Sequence, residues 1–222
     1  MTEAPDVGPS EAHPTLVDAP DPASVIASET VWSGRIFDVV RESFHLPGAG
    51  EVTREVVRHQ PAVAVLVLDD ADRVLLIQQY RHAVGLREWE LPAGLLDQAG
   101  EPALDGAKRE LHEEADAVAS DWHVLVDYLS SPGFTDEGLR IYLARGVSEV
   151  PVADRFAREA EELDMPTRWV PLDEVHAAVL RGDVRNAALV IGTLAAYAGR
   201  ERGWTTLRPA EAPWRGSPTA DC

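Results

Sequence analysis

Hydrophobic and polar positions along this chain change period several times, and each change marks an element. Residues 51–58 (EVTREVVR) read as a strand. Residues 62–69 (AVAVLVLD) form an almost unbroken apolar run, and the acidic stretch 69–72 (DDAD) turns it into a further strand at 73–80 (RVLLIQQY). Residues 89–94 (WELPAG) read as a short strand running into a turn. The period then lengthens to that of a helix, with Leu104, Ala107, Leu111 and Ala115 on one face. Strand patterns return at 122–129, 139–144 and 168–170. Helical patterns follow at 173–181 and 186–200, the second so apolar (ALVIGTLAAYA) that it must be largely buried. Strands and helices interleave without a regular strand–helix–strand rhythm. The pattern therefore predicts the α/β class, a mixed sheet between helices.

The polar face of the first helix carries the chemistry. Glu110, Glu113 and Glu114 fall at i, i+3 and i+4, so three carboxylates crowd one side. Like charges at that spacing cost an isolated helix roughly 0.2–0.5 kcal/mol per pair. A hard divalent cation bound by such an oxygen cluster would offset the repulsion. Charged helix faces are commonly just solvated, but the approach to this one argues otherwise. A short strand and turn lead through Asp97, Gly100 and Glu101 to Pro102, a residue suited to the first helical position.

Composition changes the picture at three points. The chain has 222 residues, 45% of them hydrophobic, enough for one domain with a real core and short extensions. Its formal net charge of −18 argues against nucleic acid and anionic membrane as partners, since both select basic surfaces. A single cysteine, Cys222, excludes an internal disulfide framework and a cysteine zinc site. With no long apolar span and no basic leader, a cytoplasmic protein is expected. Residues 1–29 hold five prolines and no Lys or Arg, and read as a disordered acidic tail. Residues 208–222 read as a loose C-terminal tail, within which Trp214 could still dock.

The segment Glu90-Leu91-Pro92-Ala93-Gly94, then Glu101, then Arg109-Glu110-Leu111-His112-Glu113-Glu114 resembles the Nudix box, in the form typical of the ADP-ribose pyrophosphatase branch. The flanks are similar to that branch as well: VLLIQQYR at 74–81, and SPGFTDE at 131–137, a loop whose proline marks ADP-ribose specificity. Two departures stand out. Six residues, where the family pattern has five, separate Gly94 from Glu101, and Asp116 stands where the pattern has glycine. Loops absorb insertions cheaply. If the helix end needs φ > 0, Asp tolerates it at about 1–2 kcal/mol of strain.

The resemblance implies a Nudix α/β/α sandwich with a mixed sheet over residues 59–207. It also implies a small β-rich N-terminal part, 30–58, that in this branch commonly exchanges across a homodimer. The reaction implied is hydrolysis of ADP-ribose to AMP and ribose 5-phosphate with Mg²⁺, or Mn²⁺ as the alternative ion. By motif match Glu110, Glu114, Glu113 and the Ala93 carbonyl would hold the metal. Glu101 would position Arg109 or reach the metal through water. Glu90 would lie near metal or substrate. The general base is expected on the acidic loop 157–164, with Glu161 and Glu162 the candidates. Arg81 suits phosphate oxygens through its bidentate guanidinium, with Arg54 a second candidate. Pro132 and Glu137 would contact the adenosine half. Trp32, Phe37 and Trp89 could stack on adenine or simply pack, and His82 and His112 read as peripheral. Two alternatives stay open: hydrolysis of another nucleoside diphosphate sugar, and a non-catalytic Nudix-like ADP-ribose sensor.

Overall fold

The computed structural model describes residues 16–156 and 165–214. It opens with an antiparallel meander of β1 (Ser24–Ser33), β2 (Phe37–Leu46) and β3 (Gly50–His59). The chain then enters β4 (Ala62–Val67), β5 (Arg73–Arg81), β6 (Leu86–Glu90) and β7 (Ala93–Leu95), followed by helix α1 (Ala103–Ala115). A long hairpin of β8 (Ala117–Leu129) and β9 (Gly138–Glu149) comes next. After β10 (Thr167–Pro171), helices α2 (Leu172–Arg181) and α3 (Ala187–Glu201) lead to the two-residue β11 (Arg208–Pro209). Strands assemble as β11-β8-β9-β4-β7 and as β10-β5-β6. The first of these sheets is mixed, because β4 runs parallel to β9 and antiparallel to β7.

Burial on both faces explains the unbroken apolar run at 62–67, since every residue of β4 is buried. Ala64 and Leu66 pack with Leu172, Val175, Leu189 and Ala196 of α2 and α3. Val63, Val65 and Val67 pack with Ala107 and Leu111 of α1. Helices thus cover both sides of one sheet, the α/β/α arrangement. Helix α1 ends at Asp116, whose φ of 50° and ψ of 38° are left-handed and whose N–H donates to the Leu111 carbonyl. This is the conformation that glycine adopts most easily and Asp tolerates.

Four boundaries differ from the sequence reading, the simplest being β9, which runs on to Glu149 beyond the strand read at 139–144. Strand β1 begins at Ser24, inside the stretch read as acidic tail. Its residues are all exposed, so no alternation of polar and apolar positions announced it. Strand β8 begins at Ala117, and a register shift between Val124 and Val126 breaks its period. The tail read as loose from 208 is anchored as far as Trp214. Arg208 and Pro209 pair with Val124 and His123. Arg140, only 2% exposed, donates to the carbonyls of Ala212 and Pro213 and stands 5.1 Å from the Trp214 ring. A buried guanidinium needs acceptors, and Asp127 with the tail supplies them.

Candidate active site

Pairing with β4 places Ala93-Gly94-Leu95 opposite Ala64, Val63 and Ala62, and the Pro92 carbonyl accepts from Val65 N–H at 2.9 Å. Helix α1 lies against this short strand. Its apolar face is buried through Ala107 and Leu111, and the Glu110 and Glu114 carboxylates meet β7. Glu110 and Glu114 are 8% and 5% exposed. Ala93 N–H donates to Glu114 Oε2 at 2.8 Å. The Glu110 carboxylate sits where a Cβ on Gly94 would be, so glycine here lets that carboxylate lie directly against the strand.

Arg109 gathers the charges around it. Its Nε and Nη2 donate to both oxygens of Glu101, each at 3.0 Å, and Nη2 also reaches the Leu95 carbonyl at 3.3 Å. Nη1 donates to Glu110 at 2.5 Å and lies 3.4 Å from Glu113. The Arg109 guanidinium holds the Glu101 carboxyl below its usual range. Glu101 and Glu110 in turn raise Arg109 further above its own. Glu101 therefore positions Arg109, and the cation relieves the repulsion among the box carboxylates.

A second fork stands opposite. Arg81 Nε and Nη2 donate to the two oxygens of Glu90 at 2.8 and 2.6 Å, and Glu90 is 2% exposed. Hydrogen bonding to Glu90 raises the Arg81 pKa further. Arg81, Glu90, Ala93 and Gly94 all line one cleft of about 450 Å³, a volume suited to a small-molecule ligand. A register-matched row, Tyr128, Leu139, Ala62 and Leu95, crosses its floor. Beyond that row stand His59, Ser130 and Glu137. Burial, with the Glu137 carboxylate nearby, pushes the Tyr128 hydroxyl up to about 12, so it stays protonated and can donate.

The donor set beside Gly94 is all oxygen, which suits a hard divalent cation. Among the described residues no three His, Cys, Asp or Glu side chains are already gathered around one point. Glu110 and Glu113 face Arg109, while Glu114 accepts from Ala93.

The NUDIX domain family matches residues 58–190. The chain belongs to the Nudix family. It is 47% identical over 195 residues to an ADP-ribose pyrophosphatase of Mycobacterium tuberculosis, covering 88% of this chain and 92% of that one. An ADP-ribose pyrophosphatase of Bacillus subtilis is 36% identical over 123 residues, 55% of this chain and 66% of that one. Among solved structures, an ADP compounds hydrolase superposes with a TM-score of 0.71 at 22% identity, over 85% of this chain and all of that one. That likeness establishes the fold.

The Nudix cleft brings together Arg81, Glu90, Ala93, Gly94 and Glu137. Other expected contacts lie elsewhere. Arg54 is exposed on β3 and donates to its neighbour's carbonyl, away from the cleft of its own chain. Pro132 is exposed at the tip of the 131–137 loop and does not line the cleft. Trp32 packs on Phe37 at 5.1 Å, and Trp89 packs on the core. His82 contacts Tyr80 and is exposed. His112 is half-buried in the last turn of α1. Glu161 and Glu162 lie outside the described residues. Sequence reasoning missed Ile36, His59, Tyr128, Ser130 and Asn186, all of which line the cleft.

Proposed function

We propose that this Nudix protein is a divalent-metal-dependent hydrolase that splits the pyrophosphate of ADP-ribose into AMP and ribose 5-phosphate. The observation that carries the reading is the buried pair Glu110 and Glu114 against Ala93-Gly94, at a cleft whose other wall holds Arg81. The substrate follows from the pyrophosphatase relative at 47% identity and from the SPGFTDE loop.

Glu110, Glu114, Glu113 and the Ala93 carbonyl would hold Mg²⁺, or Mn²⁺ in its place. When bound, the ion supplies charge neutralisation on the pyrophosphate oxygens and a more acidic water. Arg109 keeps the carboxylates ordered before loading. Arg81 presents a fork to a substrate phosphate, and Glu90 fixes its direction, so Glu90 acts through Arg81. Removal of the water's proton falls to Glu161 or Glu162. The overall charge of −18 is no obstacle, because Arg81 and a bound cation set the local field.

Two further features belong to this proposal. Strand β1 exposes Val25, Ile26, Val31 and Trp32 along one edge of the meander, which suits a homodimer interface. A cytoplasmic location agrees with the absence, among the described residues, of any helix long and apolar enough to cross a membrane.

The test is product analysis. Purified protein with Mg²⁺ should convert ADP-ribose to AMP and ribose 5-phosphate, with ADP-glucose, GDP-mannose and NADH turned over far more slowly. Faster turnover of another sugar nucleotide would keep the chemistry and discard the substrate. Binding of ADP-ribose without turnover of any of the four would favour a sensor.

A further inference from the structure

The arginines of this chain are of two kinds. Arg41, Arg58, Arg73 and Arg200, like Arg81 and Arg109, each donate to at least one carboxylate. At a net charge of −18 acidic partners are plentiful, so such pairing is expected. Arg35, Arg185 and Arg202 depart from it. Among the described residues, these three exposed side chains take part in no hydrogen bond, ion pair or ring contact.

Two of the three stand at the same opening. Arg35 belongs to the Gly34-Arg35-Ile36 turn between β1 and β2, and Ile36 lines the cleft. Asp38, the acidic residue nearest to it in sequence on β2, accepts from Ser33 instead. Arg185 precedes Asn186, the N-cap of α3, and Asn186, Ala187 and Ala188 line the cleft as well. Arg202 is the C-cap at the other end of that 15-residue helix, roughly 22 Å away at 1.5 Å per residue. A cation is favoured at a helix C-terminus and disfavoured at an N-terminus. Fold stability therefore accounts for Arg202 and leaves Arg185 unexplained.

The cleft needs a positive charge that acts at a distance. Arg81 is neutralised by Glu90, and the single charge of Arg109 faces Glu101, Glu110 and Glu113. A pyrophosphate diester carries two negative charges, so it approaches this opening against repulsion. Unpaired arginines on the rim reverse that repulsion where the ligand enters. We propose that Arg35 and Arg185 form a cationic rim that steers an anionic nucleotide into the cleft, through charge rather than a directed contact. The proposal rests on the nucleotide-sugar reading of the cleft and adds residues that govern capture, not chemistry.

The experiment measures kcat/KM for ADP-ribose, kcat and melting temperature at two ionic strengths. The proteins are wild type, Arg35→Glu, Arg185→Glu, Arg185→Lys and Arg202→Glu. At about 10 mM, where charges act over roughly 30 Å, each rim reversal should lower kcat/KM about 5- to 10-fold without lowering kcat. Arg202→Glu makes the same change of charge far from the opening, and should lower it less than about twofold. At about 1 M, where the range is roughly 3 Å, all should agree with wild type within about twofold. Arg185→Lys should match wild type at both, because it keeps the charge and loses only the fork. Melting temperatures that are not lowered show that the variants are folded. Unchanged kcat/KM in the rim reversals, an equal loss in Arg202→Glu, a loss that persists at high salt, or a loss in Arg185→Lys would overturn the proposal. A wild type that leaves ADP-ribose intact would remove the functional reading separately. The rim is then judged by the same salt dependence in ADP-ribose binding, measured by calorimetry.

Discussion

The two ends of the cleft are built in opposite ways. At the Gly94 end the functional groups lie within 25 residues of one another, on a strand, a turn and one helix. Their pairing is dense: Arg109 alone contacts Glu101, Glu110, Glu113 and the Leu95 carbonyl. At the His59 end the decisive contacts join residues 77 and 78 positions apart, through one carboxylate. The first end is a local unit whose geometry survives as long as α1 stays packed on β4. The second exists only when the meander docks on the 131–137 loop. The two ends thus rest on different kinds of contact, and substitutions at them should fail differently.

The largest effect is expected at the carboxylates. Glu110→Gln should lower kcat by about 10³-fold, a loss of several kcal/mol of charge stabilisation, with little change in melting temperature. Gly94→Ala should come next. Its methyl group meets the Glu110 carboxylate, which must move, so kcat should fall and unfolding should show a loss of about 1–3 kcal/mol. Arg81→Lys replaces a fork with a point charge. It should raise KM about tenfold through the lost bidentate phosphate contact, measured by steady-state kinetics. Smallest for activity is Trp214→Ala. It uncovers Arg140, whose side chain does not line the cleft, and should cost roughly 1–2 kcal/mol in denaturant unfolding while leaving kcat/KM nearly unchanged. A change in substrate preference from Trp214→Ala would blur the division between the two ends.

The same division explains what the sequence could tell. Glu110, Glu113 and Glu114 were legible because helical spacing alone sets them on one side, opposite Leu104, Ala107 and Leu111. Asp116 was legible as a left-handed helix end because a glycine position held one of the few tolerated replacements. The reason for Gly94 was not legible, since it is the Glu110 carboxylate across a tertiary contact. The contact of His59 with Asp136 gave no signal, because a histidine at a strand end and an aspartate in a loop meet only once the meander docks. The faint pattern of β1 has the same origin. Its apolar side chains stay exposed even where Trp32 packs on Phe37, so no face is buried to impose alternation. The C-terminal anchor went unread because Arg140 looks like any polar strand position until Asp127 and the tail carbonyls surround it.

The central claim is that the α1 carboxylates against Ala93-Gly94 carry out hydrolysis of ADP-ribose. The most direct measurement is AMP release from ADP-ribose by wild type and Glu114→Gln across a Mg²⁺ titration. The prediction is turnover that needs the ion in wild type and is reduced about 10³-fold in the variant at every Mg²⁺ concentration. Comparable turnover by both proteins, or wild-type turnover undiminished by chelation, would contradict it.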